Sequence, residues 1–321
     1  MKYLYKSLFA NDIRAYLSLK EAMGYSQSSY NKFLRLFDTF CVENYPLETR
    51  LTKEILDQWG CIRTGIEHEN GLHRRMIALK GFAEYLQLIG KNPDTIQDGM
   101  IGKNKPFYPY IYSDLEIQTF FFTADTITNK TSCEKTRELV IPVVFRILYC
   151  CGLRPQEVLK IQCDQIDLTT GTIFIHNSKA HKDRIVPMSE ELTRLCCMYE
   201  KLISRKIPAR KYFFQHESGK AYSINWLQLQ FRRCWKVAGI AFPTNHHPRV
   251  YDWRHNFATR KIMDWLEEGK DINNLLPYLS AYLGHTELKN TLDYVHLMPE
   301  RLILTGHMDW LGIPEVPDYE D

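Results

Sequence analysis

The residue types able to do chemistry gather in four short stretches of the chain's second half. CGLRPQEVLKI carries Arg154 and Glu157, IHNSKAHKDRIVP carries Lys179 and Lys182, and YDWRHNFAT carries Tyr251, Arg254 and His255. YLGHTELKNTLDY carries His285 and, nine residues later, Tyr294. A guanidinium presents a rigid fork that matches phosphate oxygens and stays charged at any working pH, so two of them suit chemistry at a phosphate. Arg154 precedes Pro155, a residue that favours the first turn of a helix, and the free amides of that turn add to a field attractive to phosphate. Glu157 lies three residues on, on the same helical side, where it could orient the guanidinium. The chain has no GxxxxGK[ST] loop, no CxxC pair and no evident two-metal set of carboxylates, so neither a metal nor another cofactor is expected.

The order Arg, Lys, x-x-x-Arg-His, Leu-Gly-His and a Tyr nine residues after that His resembles the tyrosine recombinase (phage integrase) family. The resemblance spans about residues 105–300, and the N-terminal helices are similar to that family's core-binding domain. It implies attack by Tyr294 on a DNA phosphodiester, with Arg154 and Arg254 on the non-bridging oxygens and a 3′-phosphotyrosine that a 5′ hydroxyl later reverses, without ATP or metal. Clamping of developing charge in this way is worth on the order of 10²- to 10³-fold per donor. By the same resemblance Lys179 is the β-hairpin lysine that protonates the departing 5′ oxygen, although Ala180 replaces the Gly that often follows and Lys182 stays open as an alternative. His285 corresponds to a phosphate-contacting His or Trp, and Glu157 to the family's acidic residue.

Tyr251 is the departure, because the family commonly has His there. A phenol, with an ordinary pKa near 10, would donate a hydrogen bond to phosphate rather than serve readily as a base, which leaves His246, His247 and His255 as candidate substitutes. Taken singly, each residue also has a plain structural reading: a surface Arg with an i,i+3 partner, a solvated Lys, a packed His, one core Tyr among 19. The function implied by the resemblance is site-specific recombination or integration for a mobile element or replicon, by a homotetramer on double-stranded DNA, with accessory DNA-bending or partner recombinase proteins. Two alternatives stay open: type IB topoisomerase-like strand passage, and a DNA-binding regulator with weakened catalysis, which Tyr251 keeps alive.

The elements that must position these residues are mainly helical with a small β-sheet, in the arrangement of a two-domain DNA clamp. Helices are expected at about 8–23, 27–44, 52–63 and 70–89, the last marked by Leu72, Met76, Leu79, Ala83 and Leu86 at intervals of three or four. GKNPDTIQDGMIGKNKPFYPY loses that periodicity and gathers Gly, Pro and Lys, so it reads as a linker. The domains expected are 1–105, helical, core-binding and DNA-binding; 106–300, mixed α/β and catalytic; and 301–321, an apolar tail suited to docking on a neighbouring subunit. In the second domain β runs are expected at 163–168, 172–176 and 184–187, with helix at 189–205, 223–238, 249–268, 271–283 and about 286–293. Arg74, Arg75 and Lys80 on the fourth helix, with Lys103 and Lys105 in the linker, are candidate phosphate contacts.

At 321 residues with 45% hydrophobic residues, the chain has material for two cores and is neither disordered nor fibrous. A net charge of +3 permits nucleic acid binding without identifying it. The apolar run IPVVFRILYCC is broken by Arg146, and the N-terminal stretch by Lys6 and Asp12, so neither a membrane span nor a secretory signal is expected. Nine Cys, single or as adjacent pairs, read as reduced, mostly buried thiols, and a cytoplasmic location is expected.

Overall fold

A computed structural model describes residues 3–25, 27–61, 67, 69–101, 109–127, 136–176, 183–241 and 247–296. The chain divides into two compact units, Met1–Phe107 and Tyr108–Asp321. It is mostly helical, with one small sheet.

In the first unit, α1 (Ala10–Ala22), α2 (Gln27–Asn44), α3 (Lys53–Trp59), α4 (Glu69–Leu88) and α5 (Asp98–Ile101) surround an aromatic core of Phe9, Tyr16, Phe37, Trp59 and Phe82. The three-four spacing on α4 buries the whole expected stripe from Leu72 to Leu86. Asp38, fully buried on α2, accepts the backbone N–H groups of Lys6 and Ser7 and so fastens the N-terminal segment. Thr52 caps α3, which ends at Trp59 before Gly60 rather than running on to 63.

Arg75 departs from its expected place on a phosphate-facing surface. Three residues after Leu72 and four before Leu79, it falls on the buried stripe, where its charge has to find partners inside the protein. It is 2% exposed, binds both oxygens of Glu67, and donates to the carbonyls of Trp59 and Cys61. Its neighbour Arg74 is exposed and Lys80 half-buried, while Lys103 and Lys105 lie outside the described residues.

The second unit opens with α6 (Asp114–Thr126), whose first turn is closed by a reciprocal Ser113–Glu116 cap. It continues through α7 (Arg137–Cys151) and α8 (Pro155–Lys160). A three-stranded antiparallel sheet follows: β1 (Ile166–Asp167), β2 (Thr172–Ile175) and β3 (Arg184–Pro187), with Ile173 opposite Val186 and Ile175 opposite Arg184. The strand expected from 163 is shorter. Residues Cys163–Gln165 form a 3₁₀ turn because the Gln165 side chain accepts the Gln162 N–H, a local bond that competes with a sheet ladder.

Helices α9 (Glu190–Lys206), α10 (Ile224–Val237), α11 (Asp252–Glu267), α12 (Ile272–Leu283) and α13 (Lys289–His296) complete the unit. Trp253 anchors α11 in the main core, stacked on Tyr112 with ring centroids 4.2 Å apart. Beyond it, Ala258, Ile262 and Leu266 of α11 pack with Leu276, Leu279 and Leu283 of α12 and with Tyr294 of α13 in a second cluster. Of the eight described cysteines, all free thiols, four are buried, which is half rather than most of them. Among the described residues no helix is long and apolar enough to cross a membrane.

Candidate active site

The CGLR stretch lies where α7 stops. Gly152 takes the left-handed conformation (φ +59°) that ends the helix, and the chain then turns through Arg154 into α8 at Pro155. Glu157 accepts the Arg154 backbone N–H at 2.9 Å with one oxygen and the Arg154 Nη1 at 2.8 Å with the other. The expected pairing of Arg154 with Glu157 is therefore present. Arg154 Nη2 also donates to the Gly284 carbonyl at 3.0 Å, 130 residues away, tying the start of α8 to the end of α12.

Arg254, 1% exposed on α11, donates from Nη1 to the Gly152 carbonyl (2.9 Å) and from Nη2 to the Leu283 carbonyl (2.7 Å). Helix C-termini leave main-chain carbonyls without intrahelical partners and carry partial negative charge. The ends of α7 and α12 thus hold the two guanidinium groups side by side. Their mutual repulsion, after burial, lowers the Arg254 pKa, and nearby Tyr294, Tyr251 and Glu157 offset it.

Tyr294 is 4% exposed on α13. Burial raises its pKa, while the charge of Arg254, a hydrogen bond with that guanidinium and the charge of Arg154 pull it back. The nucleophile candidate therefore shares one electrostatic site with both arginines. His285, after the left-handed Gly284 (φ +68°), lies with its ring centroid 6.0 Å from that of Tyr294, and its Nδ1 is 2.8 Å from Thr291 Oγ1. His255 has its ring centroid 5.5 Å from that of Tyr294 and 5.5 Å from that of Tyr251. Its Nδ1 is buried without a partner among the described residues.

Burial, with the charges of Arg249 and Arg254, lowers the His255 pKa to about 4. Burial, with Arg254, Arg154 and Arg184, lowers that of His285 to about 3. Both imidazoles are neutral at pH 7. Tyr251 precedes α11 and is 39% exposed, beside a cavity of about 280 Å³ that Arg154, Gln156, Leu227 and Val250 also line. His247 is exposed, while His246, Lys179 and Lys182 lie outside the described residues.

Sequence reasoning missed Arg184. Nη2 and Nη1 of this β3 residue donate to the two oxygens of Glu157 at 2.8 and 3.2 Å. Burial alone would raise the Glu157 pKa, but the bonds and charge of Arg184, followed by the bonds from Arg154, hold it below the usual carboxylate range. Strand alternation carried the signal, since Arg184 stands two residues before buried Val186 and so on the same face. Thr291, fully buried, was missed as well, and no local pattern marks it. Among the described residues, no group of His, Cys, Asp and Glu side chains is arranged to hold a metal ion.

Comparison with known proteins agrees with this geometry. The sequence profile of the phage integrase family matches residues 117–301. A Sinorhizobium fredii (strain NBRC 101917 / NGR234) protein, y4rE, provisionally named an integrase/recombinase, is 26% identical over 304 residues, covering 94% of this chain and 93% of the relative. Tyrosine recombinase XerC of Lacticaseibacillus casei (strain BL23) is 25% identical over 264 residues, covering 80% of this chain and 78% of its own. In fold, the chain is similar to a XerH site-specific recombinase bound to difH (TM-score 0.64, 21% identity, 86% of this chain and 77% of that one). The profile covers more than half of the chain, and the protein belongs to the phage integrase family, tyrosine recombinases that cleave and rejoin DNA.

Proposed function

We propose that this chain is a site-specific recombinase or integrase that acts on double-stranded DNA for a mobile element or replicon. The Tyr294 oxygen attacks a backbone phosphorus as its phenolic proton passes to the neutral imidazole of His255, the P–O5′ bond breaks, and the strand stays attached as a 3′-phosphotyrosine while the 5′ oxygen leaves protonated by Lys179. A 5′ hydroxyl from another strand then attacks the same phosphorus and expels Tyr294. One phosphodiester is exchanged for another at each step, so no ATP is consumed.

Arg154 and Arg254 meet the two non-bridging oxygens as charge grows on them, and Glu157 holds Arg154 in register. His285, neutral and oriented by Thr291, offers its other ring nitrogen to the phosphate. Tyr251 donates a hydrogen bond to the phosphate, with His255 behind it as the neutral imidazole nearest the nucleophile. Lys179 is the acid for the 5′ oxygen. Residues 1–105 are the core-binding domain, with Arg74, Lys80, Lys103 and Lys105 as its phosphate contacts. Residues 106–300 carry the chemistry, and residues 301–321 dock on the next subunit of a tetramer in the cytoplasm.

The observation that carries the reading is the convergence of Tyr294 on Arg254 and Arg154 across more than a hundred residues of sequence. XerH and a lambda integrase dimer, both similar in fold, are described as bound to their recombination sites, which supports duplex DNA as the substrate. The test is covalent trapping on a duplex nicked beside the cleavage position, with candidate sites drawn from the DNA that flanks the gene. Wild type is expected to form a protein–DNA adduct and Tyr294→Phe none. Equal adduct from the variant, or none from wild type, refutes the proposal.

A further inference from the structure

The guanidinium pair is not the whole cationic site. Glu157 places one full negative charge against Arg154, so a lone Arg154–Glu157 pair would present the incoming phosphate with almost no net charge. Arg184 changes that balance. Its two terminal nitrogens take both oxygens of Glu157, at 2.8 and 3.2 Å, so one carboxylate is shared by two guanidinium groups and one positive charge is left over. The group is sequestered, with side-chain exposures of 8% for Arg184, 9% for Glu157 and 15% for Arg154. Charges separated from solvent interact more strongly than they do in water. Arg184 Nε is itself buried, with no acceptor among the described residues.

Arg184 also lies against the segment that presents His285. A Cβ built at Gly284 would stand 3.0 Å from Arg184 Nη1 and 3.3 Å from its Cζ. The Gly284 carbonyl in turn accepts from Arg154. One side chain on β3 therefore bonds the carboxylate that holds Arg154 and lies beside Gly284, whose carbonyl is another acceptor for Arg154.

We infer that Arg184 is a positioning residue of the strand-transfer site: by sharing Glu157 it fixes the fork of Arg154 and leaves the positive charge of Arg154 uncancelled beside that of Arg254. A lysine cannot hold both carboxylate oxygens in a plane, so position 184 asks for a fork as well as a charge. This inference rests on the function proposed above, and its test separates the two.

The test measures single-turnover formation of the covalent adduct on the nicked duplex by wild type, Arg184→Lys and Arg184→Ala, with melting temperature and DNA affinity recorded for each. Wild type must form adduct. Arg184→Ala is expected to lose on the order of 10²-fold in rate, the cost of a misplaced reacting group, with DNA affinity nearly unchanged and Arg184→Lys between the two. The same rates are then measured on a substrate with a methylphosphonate at the scissile position, which removes the charge of one non-bridging oxygen. If Arg184 acts through Arg154 on that charge, its substitution costs less on the methylphosphonate than on the phosphodiester. A merely structural role would lower both rates by the same factor and overturn the inference, as would an Arg184→Ala rate equal to wild type. Absence of adduct from wild type overturns the proposed reaction itself, and this inference with it.

Discussion

Mild acid should loosen the second unit, and His255 is the main reason. At pH 7 its imidazole is neutral in the folded and unfolded chain alike, so it contributes no difference between the states. At pH 5 the unfolded chain protonates it, near the ordinary 6.5, while the folded site, with a pKa of about 4, does not. Folding must then expel a proton, so stability falls as pH falls between those two values. The interval from 6.5 to 5 spans ~1.5 units, which at ~1.4 kcal/mol per unit is about 2 kcal/mol. His285 pushes in the same direction by a smaller amount, because solvent reaches and screens it. Glu157, held low, keeps its full contribution above the ordinary carboxylate range and loses it only as pH falls from there to its folded value, and Asp252, raised by burial, returns a little stability on acidification. For a unit of this size the His255 share corresponds to about 4–8 °C in Tm. Calorimetry of wild type and His255→Gln at pH 7, 6 and 5 checks this: the variant should fall less with acid by that amount. Parallel curves for the two proteins would refute the reasoning.

Gly284→Ala should cost about 1 kcal/mol of stability from its left-handed backbone and, by crowding Arg184 at 3.0 Å, lower the adduct rate more than the melting temperature, both read on one preparation. Gly152→Ala should be worse, because its Cβ would come within 2.4 Å of Phe257, and such overpacking costs a further ~1–3 kcal/mol. In urea titrations the double variant with Phe257→Ala should lose less than the sum of the two single changes. Arg74→Met should reduce the slope of log affinity for DNA against log salt by about one, the value for a lost phosphate contact. Arg75→Met should leave that slope alone and lower the melting temperature of the first unit instead, through the stranded Glu67 carboxylate.

Much of the architecture was readable because helices announce themselves. The stripe on α4, Pro155 opening α8 and the glycines closing α7 and α12 each have a local physical signature. The strand expected at 163–168 was cut short to Ile166–Asp167 for the same kind of reason, since the Gln165 side chain accepts the Gln162 N–H and offers the backbone an alternative that β propensity does not weigh. Arg75 was misread as surface through attention to charge rather than to its place in the three-four pattern. Arg154, Arg254, His285 and Tyr294, which the family resemblance singled out, do come together in the fold. Arg184 was overshadowed by the lysines of the preceding loop, although the alternation of β3 pointed it inward. The acceptors that hold the arginines could not be read at all, because the carbonyls of Gly152, Leu283 and Gly284 are main-chain groups and any residue type supplies one.

Those carbonyls explain why Gly152 and Gly284 stand beside the residues that hold Arg154 and Arg254 in place. A helix that ends in a left-handed turn reverses its chain direction abruptly and leaves its last carbonyls pointing outward with negative partial charge. The ends of α7 and α12 supply three such oxygens, and two guanidinium groups from α11 and the start of α8 are drawn to them. Without those acceptors, two like charges brought together in a buried place would repel and carry a heavy desolvation cost. With them, each arginine keeps N–H groups to spare and cannot swing away. In the reaction proposed above, a phosphate entering the site would meet donors already fixed, and little reorganisation would be left for the moment when charge develops on its oxygens.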